Sequence, residues 1–125
     1  LAHRLAPLGL RFVKVGMSLF YEAGLPLVRE LRAAGLEVFV DLKLHDIPNT
    51  VARTVDVLVR GGVRFLNVHA QGGSAMMAAA AQAARQASDA ACQPGEPPAT
   101  VIAVTLLTSL DAAALADELR VPLPP

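Results

Sequence analysis

Apolar residues along this chain recur at two different spacings, and the spacing changes from segment to segment. Short runs rich in valine, leucine and phenylalanine alternate with longer segments in which apolar residues recur every three or four positions. The first pattern is typical of β-strands, and the second is typical of helices that bury one face. The runs predict strands over residues 10–16, 37–43, 63–69 and 100–107, with a helix after each strand.

Turn-forming residues set the bounds of the predicted helices. Pro26 suits the first turn of a helix that Gly35 ends, so residues 18–21 are expected to form a connector before it. The next helix ends at two glycines, and its buried face is predicted to carry Val51, Val55, Leu58 and Val59.

The two ends of the chain carry weaker patterns. Residues 1–9 are expected to be the tail of a helix. Near the other end, Asp111 is expected to cap a short helix that turns Leu115 and Leu119 inward. Neither segment changes the main pattern, in which strands and helices alternate four times with short connections. That order predicts a parallel α/β sheet.

Composition and charge limit what the chain can be. With 125 residues, of which 54% are hydrophobic, and no internal linker, residues 1–125 are expected to form a single domain. Eleven basic and eleven acidic residues are scattered, so no nucleic-acid or membrane-binding patch is expected. A single cysteine, Cys92, fits a reducing compartment, and the cytoplasm is the expected location. The absence of an initiator methionine leads us to expect that the chain begins partway into a gene product.

Residues 41–50, Asp-Leu-Lys-Leu-His-Asp-Ile-Pro-Asn-Thr, break the apolar pattern most sharply. Because side chains alternate along a strand, Asp41 and Lys43 are predicted to share one face, with Leu42 and Leu44 on the other. An acid and a base beside a packed interior offset each other's desolvation, an arrangement typical of functional sites. The alternative is a structural ion pair at the strand end, followed by an aspartate that caps the next helix.

Polar residues also end the other predicted strands, and the carboxyl ends of parallel strands form the functional face of such folds. Oriented charges at this rim would suit an anionic substrate without a metal ion. The polar residues in question are Lys14, Asp41, Lys43, Asn67, His69 and Thr108.

Each of these residues also has a purely structural interpretation. Lys14 can extend its ammonium to solvent, His69 can be a hydrogen-bonded core histidine, and Thr108 can satisfy a backbone group. Gly72 and Gly73 precede a helix and could cradle a phosphate, although a tight turn alone would require glycine.

Neither a metal nor a nucleotide cofactor is indicated. Cys92 and the histidines lack the spacing of zinc ligands, and no glycine-rich dinucleotide or Walker motif is present.

Several segments of the chain together carry a family resemblance. They are Val-Lys-Val-Gly at 13–16, the string at 41–50, Val-His-Ala at 68–70, Gly72-Gly73, Met76-Met77, and Val-Thr-Leu-Leu-Thr-Ser at 104–109. In this order they resemble the orotidine 5′-phosphate decarboxylase family, and its bacterial branch in particular. Asp-x-Lys-x-x-Asp alone also resembles magnesium-dependent sugar-phosphate lyases and synthases of the same superfamily, but the full ten-residue string is more specific.

This resemblance implies a cofactor-independent carboxy-lyase that converts orotidine 5′-monophosphate to uridine 5′-monophosphate in de novo pyrimidine biosynthesis. It implies that Lys43 donates a proton to C6 of the pyrimidine as carbon dioxide leaves, and that Asp41 lies beside the substrate carboxylate. Lys14 would hold Asp41 and the ribose hydroxyls, and Thr108 would lie near the bound nucleotide.

The resemblance also implies a homodimer in which each subunit completes its partner's site. Asp46, with Ile47 and Thr50, would reach into the partner's site and bind substrate there. The charge network would then be complete only in the dimer.

The fold implied is a (β/α)8 TIM barrel, of which this chain carries about four strand-helix units. A full barrel has eight strands and about 250 residues, so the first strand and the last three strands are expected to be missing. Phe12, Phe39, Phe65 and Ala103 are expected to face the barrel interior. The remaining alternative is a non-catalytic fragment that binds a phosphate or a partner.

Overall fold

Four parallel strands form one sheet in the computed structural model, which describes Arg4, residues 6–91 and residues 95–120. Neighbours in the sheet follow chain order, and every pair is parallel. This confirms the predicted α/β arrangement. The strands are β1 (Phe12–Gly16), β2 (Glu37–Leu44), β3 (Phe65–His69) and β4 (Thr100–Val104).

Three long helices connect the strands. They are α1 (Met17–Ala33), α2 (Pro48–Arg60) and α3 (Gly73–Ala91). Shorter helical segments follow 3-10 geometry at Ala6–Leu8 and Ala70–Gly72 and π geometry at Ala114–Glu118. No helix in the described part of the chain is long and apolar enough to cross a membrane.

The start of α1 differs from the prediction. Residues 18–21, expected to be a connector, are helical, and α1 begins directly after β1. The helix breaks at Gly24, whose φ of 60° and ψ of −156° are not helical. Pro26 lies in the first turn after this break, as its fixed φ favours. The sequence pattern therefore located the second segment of α1 and missed the first.

The core lies between one face of the sheet and the three helices. Val15, Val38, Val40, Leu66 and Val68 on the strands are almost fully buried there. All four residues predicted for the buried face of α2 are buried. We call this side of the sheet the covered face. Burying this much aliphatic surface is the main source of stability in such a layer.

The opposite side of the sheet is more accessible, and we call it the open face. Phe12 is 54% exposed there, and its ring centroid lies 5.9 Å from that of Phe65, which is half-buried with Phe39. The expectation for Ala103 was wrong. Ala103 pairs with Val68 on the covered face, and Ile102 instead occupies the open face. Because β4 is apolar on both faces, its sequence gave no sign of which residues point which way.

The ends of the described chain also depart from the prediction. β4 ends at Val104, not at residue 107. Asp111 does cap the next turn, because its Oδ1 accepts a 2.8 Å hydrogen bond from Ala114 N–H. Leu115 is half-buried, but Leu119 is 42% exposed and does not pack inward. Of the predicted helix over residues 1–9, residues 1–3 and 5 lie outside the described chain, as does Cys92.

Candidate functional site

Asp41, near the carboxyl end of β2, binds both lysines of the chain. The Lys14 Nζ lies 2.8 Å from Asp41 Oδ2, and the Lys43 Nζ lies 2.6 Å from Asp41 Oδ1. Lys14 comes from β1 and Lys43 from β2, so the sheet itself brings the three side chains together. The predicted placement of Asp41 and Lys43 on one side is thereby confirmed.

A fourth side chain, Asn67 of β3, completes this polar cluster. Its Nδ2 donates a 2.7 Å hydrogen bond to Asp41 Oδ1, and its Oδ1 accepts a 2.7 Å hydrogen bond from the backbone N–H of Lys43. Asn67 is almost fully buried, at 3% exposure. We call Lys14, Asp41, Lys43 and Asn67 the charge network.

The electrostatics of the network centre on Asp41. Hydrogen bonds from Lys14 and then from Lys43 hold the pKa of the Asp41 carboxyl well below its ordinary value of 3.8. Partial burial raises the pKa of this carboxyl, whereas the hydrogen bond from Asn67 lowers it further. Asp41 is therefore a fixed anion at any physiological pH. The side chains of Lys14 and Lys43 are 59% and 28% exposed, so both ammonium groups remain accessible to a ligand.

The backbone of β2 is irregular where the network forms. Val40 pairs with Leu66 and Leu44 pairs with Val68, so three residues of β2 lie opposite Asn67 alone. Lys43 has a φ of 51°, a left-handed conformation that residues other than glycine rarely adopt. Such irregularities are concentrated at functional sites and re-aim side chains there.

The three residues predicted to reach a partner subunit lie at the exposed start of α2. Asp46, Ile47 and Thr50 are all exposed, and Ile47 is 66% exposed. Asp46 does not cap α2, contrary to the structural alternative for this residue. The N-cap is Ile47, and Asp46 Oδ1 accepts a 2.7 Å hydrogen bond from the Ile47 N–H, one residue before the helix.

His69 and Thr108 lie nearer the edge of this region. His69 is half-buried at the end of β3, and its ring centroid lies 5.4 Å from that of His45. Thr108 occupies an exposed turn four residues beyond the end of β4.

The two glycines after β3 have structural explanations. A Cβ on Gly72 would lie 2.2 Å from Met76 Sδ, so a larger residue would have to displace the buried methionine. Gly73 has a φ of 85°, which favours glycine. Met76 is a core residue, because its side chain is fully buried.

Sequence reasoning underestimated Asn67. It was grouped with the polar rim, but nothing in the sequence connected it to Asp41 or to the backbone of Lys43. The available signal was an amide side chain in the middle of the apolar run Phe65-Leu66-Asn67-Val68, since a buried polar side chain requires partners.

Comparison with known proteins identifies the family. The family model described as "Orotidine 5'-phosphate decarboxylase / HUMPS family" matches residues 1–123. The chain belongs to this family. It is 51% identical over 109 residues, which cover 87% of it, to the orotidine 5′-phosphate decarboxylase of Shouchella clausii. The corresponding Moorella thermoacetica enzyme is 50% identical over 121 residues, or 97% of the chain.

Solved structures place the fold within a larger one. The crystal structure of orotidine 5′-phosphate decarboxylase from Lactobacillus acidophilus matches 90% of this chain with a TM-score of 0.78 and 41% identity. The matched region is 48% of that protein. The chain is part of a (β/α)8 barrel, as predicted. It spans about half the length of the curated relatives, covering 44% of the Shouchella protein and 46% of the Moorella protein.

Proposed function

We propose that the protein carrying this chain decarboxylates orotidine 5′-monophosphate to uridine 5′-monophosphate, in de novo pyrimidine biosynthesis. The observation that carries the proposal is the charge network, in which one partly buried carboxylate orients two accessible ammonium groups at the carboxyl ends of β1 and β2. The proposal is also supported by two relatives, 51% and 50% identical in sequence, that are named orotidine 5′-phosphate decarboxylase.

The chemistry requires stabilisation of a developing negative charge. When the bond between C6 and the carboxylate carbon breaks, the electron pair stays on C6 and carbon dioxide leaves. An ammonium fixed beside C6 stabilises that charge before any proton moves. In this proposal the Lys43 Nζ then transfers its proton to C6, which forms the C6–H bond of the product and leaves a neutral amine.

Asp41 and Lys14 have supporting roles in this mechanism. The 2.6 Å contact between Lys43 Nζ and Asp41 Oδ1 fixes the ammonium, so little reorganisation is needed as charge develops. Asp41 would lie beside the substrate carboxylate. Lys14 neutralises the second oxygen of Asp41 and, being more exposed, can reach the ribose hydroxyls. Thr108 would contact the nucleotide from the turn after β4.

The functional unit in this proposal is a homodimer. Asp46, Ile47 and Thr50 are exposed at the start of α2, and an aspartate beside an exposed isoleucine suits insertion into a neighbouring site. We assign these residues to the partner's substrate site, where Asp46 would extend the charge network.

A cytoplasmic location is supported by the single cysteine, and cell fractionation would check it.

Hybrid dimers would test the shared site. Lys43→Ala and Asp46→Asn should each inactivate the full-length protein. Mixing the two variants should restore activity, because one of the two sites in a hybrid dimer would contain both an intact Lys43 and an intact Asp46. If mixing restores no activity although hybrid dimers form, Asp46 acts within its own subunit.

A metal requirement would distinguish the proposed reaction from its main competitor. The matching family model also covers HUMPS proteins, and the resemblance at Asp41, Lys43 and Asp46 extends to magnesium-dependent sugar-phosphate enzymes. The full-length protein should consume orotidine 5′-monophosphate, measured by its loss of absorbance, equally well with EDTA or with added Mg²⁺. Turnover of a sugar phosphate that depends on Mg²⁺, with no decarboxylation, would support the competitor.

A further inference from the structure

We propose that Asn67 is a positioning residue that sets the placement of the Lys43 ammonium and the Asp41 carboxylate through its two hydrogen bonds. The inference rests on the proposed decarboxylase function and adds a residue to it. Asn67 is the side chain that connects the backbone of Lys43 to the carboxylate of Asp41, at 2.7 Å on each side.

The orientation of the Asn67 amide follows from its neighbours. The backbone N–H of Lys43 can only donate, so the Asn67 atom facing it must be the carbonyl oxygen. The Asp41 carboxylate can only accept, so the atom facing it must be the amide nitrogen. Rotating the amide by half a turn would lose both bonds. The side chain is therefore held in one orientation, with both of its polar atoms engaged.

The backbone of β2 depends on this arrangement. Between the pairs Val40 with Leu66 and Leu44 with Val68, β2 contains three residues and β3 contains only Asn67. Strand pairing therefore cannot give each of these residues of β2 its own partner on β3. The Asn67 carbonyl provides an acceptor for the Lys43 N–H at the point where the Lys43 φ is 51°. This bond helps hold a conformation that a lysine rarely adopts.

The same side chain restrains the carboxylate. Asp41 Oδ1 accepts from both Asn67 Nδ2 and Lys43 Nζ, while Oδ2 accepts from Lys14. Rotation of the carboxylate would break the bond to Asn67. The buried amide therefore fixes the positions of the two Asp41 oxygens, and these oxygens hold the two ammonium groups. Small displacements of a catalytic group from its productive geometry can cost about 10²-fold in rate.

Replacing Asn67 with leucine tests this role, with Ser88→Ala as the matched control. Leucine is close to asparagine in size and removes both hydrogen bonds. Ser88 is equally buried and also makes two hydrogen bonds, to Ala84 O at 2.7 Å and from Ala99 N–H at 2.9 Å, but it lies on α3. In the full-length protein, Asn67→Leu should lower kcat for orotidine 5′-monophosphate by about 10²-fold with little change in KM, and Ser88→Ala should leave both unchanged.

Hydrogen exchange of the Lys43 backbone amide gives a second readout that does not depend on activity. In Asn67→Leu this amide should lose protection, while amides of the β1–β2 pairing should keep theirs. Asn67→Ser, which is too short to reach both partners, should give the same two results if the leucine variant does not fold.

The outcomes separate the two proposals. A wild-type protein without decarboxylase activity overturns the proposed function, whereas the exchange result still decides the role of Asn67. Normal kcat in Asn67→Leu, an equal loss of kcat in Ser88→Ala, or retained protection at Lys43 would overturn the positioning role.

Discussion

The two faces of the sheet are made from the same four strands but differ in what they bury. On the covered face, Val15, Val38 and Val68 are buried against helices of the same chain. On the open face, Phe12 and Ile102 remain exposed, and the strands end in the charge network. At these strand positions the covered face is packed within the chain. The open face presents aromatic and charged side chains that still have surface to bury.

This difference shows how stability and chemistry are separated in the fold. The covered face is maintained by close packing of aliphatic side chains, where a lost methylene group is costly. The open face carries the ions, which come from β1 and β2 and whose ammonium groups are accessible. Changes on the covered face should therefore affect folding, and changes at the carboxyl ends of the open face should affect chemistry.

The largest expected effect concerns residues 1–125 expressed alone. Exposed aromatic surface and two sheet edges should cause association, and the isolated chain should have no measurable decarboxylase activity. Light scattering and the loss of substrate absorbance measure both. Phe12→Ser on the open face should reduce association more than Tyr21→Ser, which changes an exposed aromatic on α1. A monodisperse, active monomer would show that the open face needs no further covering.

The next effect concerns the covered face. In the full-length protein, Leu66→Ala should destabilise the fold by about 2–5 kcal/mol, because it leaves a cavity at a side chain that is 1% exposed. Denaturant unfolding measures the loss. Val57→Ala, at an α2 position that is 54% exposed, should cost less than about 0.5 kcal/mol. A large fall in kcat with unchanged stability in Leu66→Ala would contradict the claim that changes on the covered face affect folding and not chemistry.

The smallest effect is the pH dependence of stability. The pKa of Asp41 is lowered in the folded state, so its ion pairs stabilise the fold above the ordinary carboxyl pKa of 3.8. That contribution falls as the pH drops below 3.8 toward the folded-state pKa. In the full-length protein, the Tm difference between wild type and Asp41→Asn should be largest near neutral pH and should shrink in acid.

The exposed pair of Asp56 with Arg60, at 2.8 Å, provides the control for this measurement. Surface pairs contribute little, so Asp56→Asn should change Tm only slightly at any pH. A Tm difference for Asp41→Asn that grows in acid would contradict the sign of the pKa shift.

Much of the fold follows from periodicity. Apolar spacing located four strands and the buried face of α2, since each element buries one face and repeats accordingly. It failed where that signal is absent. β4 is apolar on both sides, so the prediction of which way Ala103 points was wrong. The helical residues 17–23 precede Gly24 and Pro26, which sequence rules treat as the boundary of a helix.

The site was predictable in part. Asp41 and Lys43 are separated by two positions, and their shared side of the sheet follows from the alternation of side chains along a strand. The irregular pairing of β2 is not visible in the sequence pattern. β2 has two extra residues relative to β3, and because two is an even number, the same residues still point to the same faces. The bonds of Asn67 depend on that irregular backbone, so they could be seen only in three dimensions.

The measurement that tests the central claim most directly is the turnover of Lys43→Ala in the full-length protein. Lys43 lies at the end of β2 and the core does not need its side chain, so the variant should fold with a circular dichroism spectrum and Tm close to those of wild type. Its kcat for orotidine 5′-monophosphate should fall by at least about 10³-fold, because both the charge at C6 and the proton are lost. Near-normal turnover by a folded Lys43→Ala protein would contradict the assignment of Lys43 as the proton donor.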